Sequence, residues 1–192
     1  MKKTALLGFA LCGALSLSTP ALAEDYVIDT KDAHAFIQFK IPHLGYSWLI
    51  GEFNKFEGNF SYDEKAPEDS KVQVKIDTSS IDSNHAERDK HLRSADFLEV
   101  AKFPQAEFVS TGFKELGDGK ALMQGKLTLK GVTRDVEVAV NHVGAGPDPW
   151  GGFRRGFEGT VTIALKDYGI EFDLGPLSRE VELKLYVEGI RI

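Results

Sequence analysis

The chain has 192 residues, a formal net charge of −6 and a single cysteine. An acidic balance without basic clustering excludes a nucleic-acid binder and a polybasic membrane-surface protein. One cysteine excludes a disulfide framework, so packing must hold the fold together, and the length suits one domain.

Residues 1–23 read as a secretory signal peptide. Lys2 and Lys3 give a positive start, residues 5–17 are apolar, and Ala21-Leu22-Ala23 is a small-x-small cleavage site. The stretch is too short to span a bilayer. It contains Cys12, and Leu11 before it is a poor residue for a lipoprotein signal. Residues 24–192 are therefore expected to form one exported domain without disulfides.

The exported part reads mostly as β. Residues 26–29 form a short first strand. Ala35, Ile37, Phe39 and Ile41 share one face of the next, and Pro42 is expected to end it. Gly45 marks a bend. Residues 48–53 and 56–62 read as a hairpin about Asn54-Lys55. Residues 66–70 are a loop, and Val72, Val74 and Ile76 then alternate with Gln73, Lys75 and Asp77.

Residues 81–108 break the pattern. Asn84 with Glu87 three residues later is a capping-box arrangement, which predicts a short solvated helix over 85–93. Ser94 can cap a second turn over 95–100, and Phe103-Pro104 ends it. A polar helix between two β runs should lie across one end of a sheet or barrel. Strands resume over 106–113, 120–130, 133–142, 153–166 and 180–189, with turns at 116–119 and at Lys130-Gly131. Residues 143–152 are a Gly/Pro loop, and 167–178 are irregular. About nine strands and one helical insertion define an all-β, antiparallel barrel or sandwich.

Long strands suit a container, since ten residues extend roughly 33 Å. Small residues also interrupt the apolar faces, as in Ala121, Met123, Gly125, Leu127 and Leu129, and in Phe157, Gly159, Val161, Ile163 and Leu165. Glycines there either leave room for a ligand or make bends in the barrel. Catalysis has no visible machinery: the exported part lacks cysteine, no G-x-S-x-G elbow occurs and the carboxylates are scattered. His85 and His91 are six apart and do not form H-E-x-x-H, so no metal site is expected.

The run NHAERDKHLRSADFLEVAKFPQAEF, with IPHLGYSWLIGEFNKFEGNF before it and DPWGGFRRGF after it, resembles the YceI-like family. These are bacterial, periplasmic, lipocalin-like proteins that bind polyisoprenoid lipids, and the likeness runs over essentially all of residues 24–192. It implies an extended antiparallel β-barrel with a short helix near one end, enclosing an elongated apolar pocket. The implied ligand is an isoprenoid quinone or a polyprenyl pyrophosphate, with no cofactor. A homodimer, transient contact with a membrane or a membrane quinone-using protein, and a link to stress responses are implied too. Under this resemblance the pocket wall would draw on Ile37, Phe39, Val74, Ile76, Phe108, Met123, Leu127, Phe157, Val161 and Ile163. Tyr46, Trp48, Arg93 and Arg154 would face the head group at the mouth, because arginine forks suit phosphate. Alternatively, the aromatics plug the barrel end and the arginines pair with Glu87, Asp89, Asp96 or Asp148. A fatty-acid or fatty-amide carrier, a lipid-modifying enzyme and a filled-core structural protein are the competing functions.

Overall fold

A computed structural model describes residues 23–32, 34–172 and 174–192, so the expected leader lies, apart from Ala23, outside the described residues. The alternating segments become eleven strands: β1 (Glu24–Ile28), β2 (Phe36–His43), β3 (Ser47–Phe53), β4 (Phe56–Tyr62), β5 (Lys71–Asp77), β6 (Ile81–Asp82), β7 (Gln105–Gly117), β8 (Lys120–Leu129), β9 (Val132–Pro147), β10 (Phe153–Ala164) and β11 (Glu180–Arg191). Among the described residues one α-helix, α1 (Ala86–Leu92), and three short 3-10 turns interrupt them.

Eight strands close a ring in the order β1-β4-β5-β7-β8-β9-β10-β11, and β11 returns to β1. Every pairing is antiparallel. Closure works because β11 is long enough to serve two partners on one edge. Its end, Gly189–Arg191, pairs with Tyr26–Ile28, while Glu182–Tyr186 pairs with Phe36–Lys40 of β2. The sheet therefore forks along β11. One branch seals the barrel, and the other, β2-β3-β6, extends the wall past it.

Three local expectations are corrected. Pro42 does not end β2, which runs to His43. Pairing with β11 stops at Lys40, so beyond it β2 has a free edge where the missing N–H of proline breaks no ladder on that side. β9 continues through Gly144 and Gly146 to Pro147, because β10 pairs with it there across a bulge at Gly156/Phe157. And Asn84 is not the helix cap. It takes a left-handed φ of 61° and its N–H donates to Asp82 Oδ1 at 2.7 Å. His85 caps instead, its Nδ1 accepting from Arg88 N–H at 3.2 Å. Residues 95–100 form hydrogen-bonded turns, with the Asp96 N–H donating to Ser94 Oγ at 3.4 Å.

α1 is fastened by its neighbours. Buried Asp89 accepts from both the N–H (2.8 Å) and the hydroxyl of Ser83. Burial alone would raise the Asp89 pKa, but these hydrogen bonds outweigh it and hold the carboxyl below its ordinary range. Beneath α1, Phe97, Leu98, Phe39, Ile41, Ile163 and Tyr168 pack into a dense plug. At the opposite end, where β1 begins and β11 finishes, Tyr26 stacks on Phe60 at 4.7 Å. The unfilled space lies between these two ends.

Candidate functional site

The inward rows of the barrel strands enclose an apolar cavity of about 130 Å³. Period-two alternation puts Val72, Val74 and Ile76 of β5 on its wall, and likewise Val136, Val138 and Val140 of β9. Of the residues chosen from sequence, Ile37, Val74, Ile76, Phe108, Met123, Leu127, Phe157 and Val161 line this cavity. Phe39 and Ile163 do not; both are packed in the plug under α1. The sequence choice did not include Phe56, Phe60, Tyr62, Phe113, Leu183, Leu185 or Val187, which also line it. Those on β4 and β11 lie at alternate positions of their strands, so the same parity could have found them.

Glycines on the inner faces make room for aromatic rings. A Cβ added at Gly125 would strike the ring of Phe108, one at Gly51 the ring of Phe39 and one at Gly189 the ring of Phe60. Gly159 is less filled, since its added Cβ would stand 3.1 Å from Leu185 and 3.2 Å from Val138. An apolar cavity of ~150 Å³ admits a single benzene ring. A longer ligand therefore needs wall side chains to swing aside, and Met123, with its flexible thioether, and Phe108 are placed to do so.

The four residues expected at the mouth do not converge. Tyr46 (86 % exposed) and Trp48 (57 % exposed) sit on the outer β2–β3 tip, where Lys40 Nζ lies 4.0 Å from the Trp48 ring centre. Arg93 donates from Nε to Ser79 O (2.8 Å) and from Nη2 to Ile81 O (2.6 Å), tying the α1 end to the chain before it. Arg154 points outward into an ion network, donating to Asp29 (2.7 Å), Asp148 (3.1 Å) and Glu188. Glu188, Asp29 and Asp148 together hold its pKa above the ordinary arginine value. Asp29, His34 and Glu188 lie close enough together to suggest a metal site, but the Arg154 guanidinium already bonds both carboxylates.

The inward arginine is Arg155, only 3 % exposed. Its Nη2 donates to Glu64 at 2.6 Å, its Nε to the Tyr26 hydroxyl at 3.3 Å and its Nη1 contacts His142 Nε2 at 3.4 Å. The guanidinium lies 4.6 Å from the ring centre of Tyr62, which itself lines the cavity. His142 stacks on Tyr62 and contacts Phe157. Burial, then the Arg155 charge, pushes the His142 pKa below its ordinary 6.5. Burial, then the Glu115 charge, pushes the Tyr62 phenol up from 10.0. The cavity thus ends at an aromatic and polar cap. Arg155 was readable from sequence, because it shares parity with Phe157, Gly159 and Val161.

A closed eight-stranded antiparallel barrel with an apolar interior defines a lipocalin-like container protein. A model of the YceI-like domain matches residues 26–189. The chain belongs to the YceI-like family. A UPF0312 protein of Pseudomonas aeruginosa (strain LESB58) is 57 % identical over 191 residues, covering 100 % of both chains. Among solved structures, Burkholderia cenocepacia BcnA superposes with a TM-score of 0.74 at 23 % identity, covering 84 % of this chain and 98 % of that one. A polyisoprenoid binding domain from Saccharophagus degradans, implicated in plant cell wall breakdown, gives a TM-score of 0.64 at 16 % identity, covering 87 % and 98 %.

Proposed function

We propose that this chain is an exported, periplasmic binding protein that sequesters a long polyisoprenoid lipid, an isoprenoid quinone or a polyprenyl pyrophosphate, inside its barrel. The observation that carries the reading is the apolar cavity, walled by the inward rows of the strands and lying between two packed ends. Family membership and the barrel shared with a polyisoprenoid binding domain support it. So does the energetics: burying ten CH₂-sized units gives roughly 8 kcal/mol before ordering and association costs. Binding by apolar area needs no special head contact, which suits arginines committed to other partners. Among the described residues, the wall is apolar apart from Tyr62, Ser70 and the exposed Glu158. That composition favours holding a lipid over modifying one.

The test is mass spectrometry of the intact protein purified from periplasm, native and then denatured, with the extracted lipid identified. A stoichiometric isoprenoid released on denaturation is the expected result. An empty protein that also refuses added quinone and polyprenyl lipids would leave the filled-core alternative standing.

A further inference from the structure

The strand that closes the ring, β1, is short. Its pairing with β4 stops where Val27 lies opposite Asn59. β4 has three further residues, 56–58, which pair with β5 on their other edge. Among the described residues no strand pairs with these three on the β1 side. The chain leaves the sheet after Asp29, whose N–H still reaches Glu188 O at 2.8 Å, and returns to β11 at Phe36. Side chains rather than a ladder therefore fill the wall beside residues 56–58. Outside this stretch lies a groove of about 340 Å³, bordered by Val27, Glu57, Gly58, Asn59 and Gln73. Ile28 borders it too, and among the described residues Ile28 alone also lines the inner cavity.

Gly58 makes the wall thin at this place. Alternation puts it on the inner row of β4 with Phe56, Phe60 and Tyr62, which line the cavity, and it adds no side chain of its own. Ile28 covers the gap: a Cβ added at Gly58 would stand 2.8 Å from Ile28 Cδ1 and 3.1 Å from Val74 Cγ2. A δ-methyl moves by rotation about χ2, with no shift of the backbone. The two ends of the barrel offer harder routes to the cavity. Under α1 a lipid chain would have to part Phe97, Leu98, Ile163 and Tyr168, all buried. At the polar end it would pull Arg155 from Glu64 and the Tyr26 hydroxyl and strand a buried guanidinium. At the side one aliphatic side chain has to turn. The groove outside also suits an amphipathic visitor, since exposed Val27 offers apolar surface beside the amides of Asn59 and Gln73.

We propose that this groove is a lateral port through which the chain of a long apolar lipid enters and leaves the cavity, with Ile28 as its gate. The proposal rests on the lipid-binding reading above and adds the route. Stopped-flow mixing follows an anthraniloyl ester of geranylgeraniol into the full exported chain, and a chase with unlabelled geranylgeraniol follows it out. Ile28→Ala should speed entry and exit together by at least about fivefold. Asn59→Trp, which plants a ring in the groove from an exposed position, should slow both by a similar factor. Its dissociation constant should stay within about twofold, because a port changes rates and leaves the end states alone. Glu137→Trp, exposed on β9 across the ring from β4, should change neither rate. Entry and exit in Asn59→Trp as fast as in the unaltered protein would overturn the port, even where Ile28→Ala does not fold. Weaker binding in Asn59→Trp at an unchanged entry rate would make the groove a binding surface and overturn the port as well. Failure of the unaltered protein to take up this ester or any other long-chain lipid would instead bring down the lipid-binding reading itself.

Discussion

Arg154 and Arg155 are neighbours in sequence and opposites in role. Strand alternation sends Arg154 out to Asp29, Asp148 and Glu188, and Arg155 in towards Tyr62 and His142. Arg154→Ala should therefore lower the melting temperature by several degrees, because buried Asp29 loses its guanidinium partner. Lipid uptake by the folded variant should be unchanged. Thermal melting and lipid displacement measured together check this, and a loss of uptake at unchanged stability would restore a head-group role to Arg154. His142 carries a second expectation at this scale. Its pKa is lowered by burial and by Arg155, so the unfolded chain binds a proton more readily than the folded one. The stability it contributes is present above pH 6.5 and is lost as pH falls from 6.5 through the lower folded value. His34 has the opposite sign, since Asp29 raises its pKa, and its contribution is lost as pH rises through that raised value. Comparing the unaltered protein with His142→Gln isolates the first effect. The melting-temperature difference should move in favour of histidine between about pH 5 and about pH 7.5, and a flat difference would reject it.

At the scale of elements, what is local is legible and what is long-range is not. The alternation of Val72, Val74 and Ile76 reveals β5 and its inward row without any partner in view. The polar run before Phe97 reveals α1, but not that His85 caps it, because Asn84 is drawn into a left-handed turn by Asp82. The tail of β9 is hidden because Gly144 and Gly146 carry no side chain to alternate, and only β10 opposite them makes them strand. The wall rows of the candidate site follow from parity. At its polar end parity turns Arg155 inward but does not show what it meets, because Tyr26, Glu64 and His142 come from distant segments. The inner glycines show the same limit: a small residue in an apolar row signals space, and only the partner strand shows that the Phe108 ring takes it at Gly125. Gly125→Val on β8 should accordingly force that ring off its site and destabilise the barrel by about 1–3 kcal/mol. Gly159→Ala, where neighbours stand 3.1 and 3.2 Å from the new methyl, should cost less. Denaturant unfolding of the two variants gives the order, and equal costs would contradict the assigned packing.

For the whole molecule, the fork along β11 decides how a lipid and the fold depend on each other. One strand joins β10 to β1 at the polar end and to β2 nearer the plug, so a cavity widened between them strains both seams. The wall cannot open by parting a free edge, since the eight strands close on themselves. It has to open by rotating Met123, Phe108 and their neighbours, so the ligand replaces side-chain contacts with its own. Filling the cavity should then stabilise the folded barrel by linkage, because the unfolded chain has no cavity to fill. With free lipid at about a hundredfold over its dissociation constant the gain is ~2.7 kcal/mol. For a chain of this size that raises the melting temperature by roughly 5–11 °C. Delipidated protein melted with and without a menaquinone tests this. If the lipid sat only on the exposed β2–β3 tip with Tyr46 and Trp48, substituting those two residues would abolish the shift. If it sits in the barrel, Val138→Trp, which fills the cavity from β9, should abolish the shift while Tyr46→Ala and Trp48→Ala leave it intact.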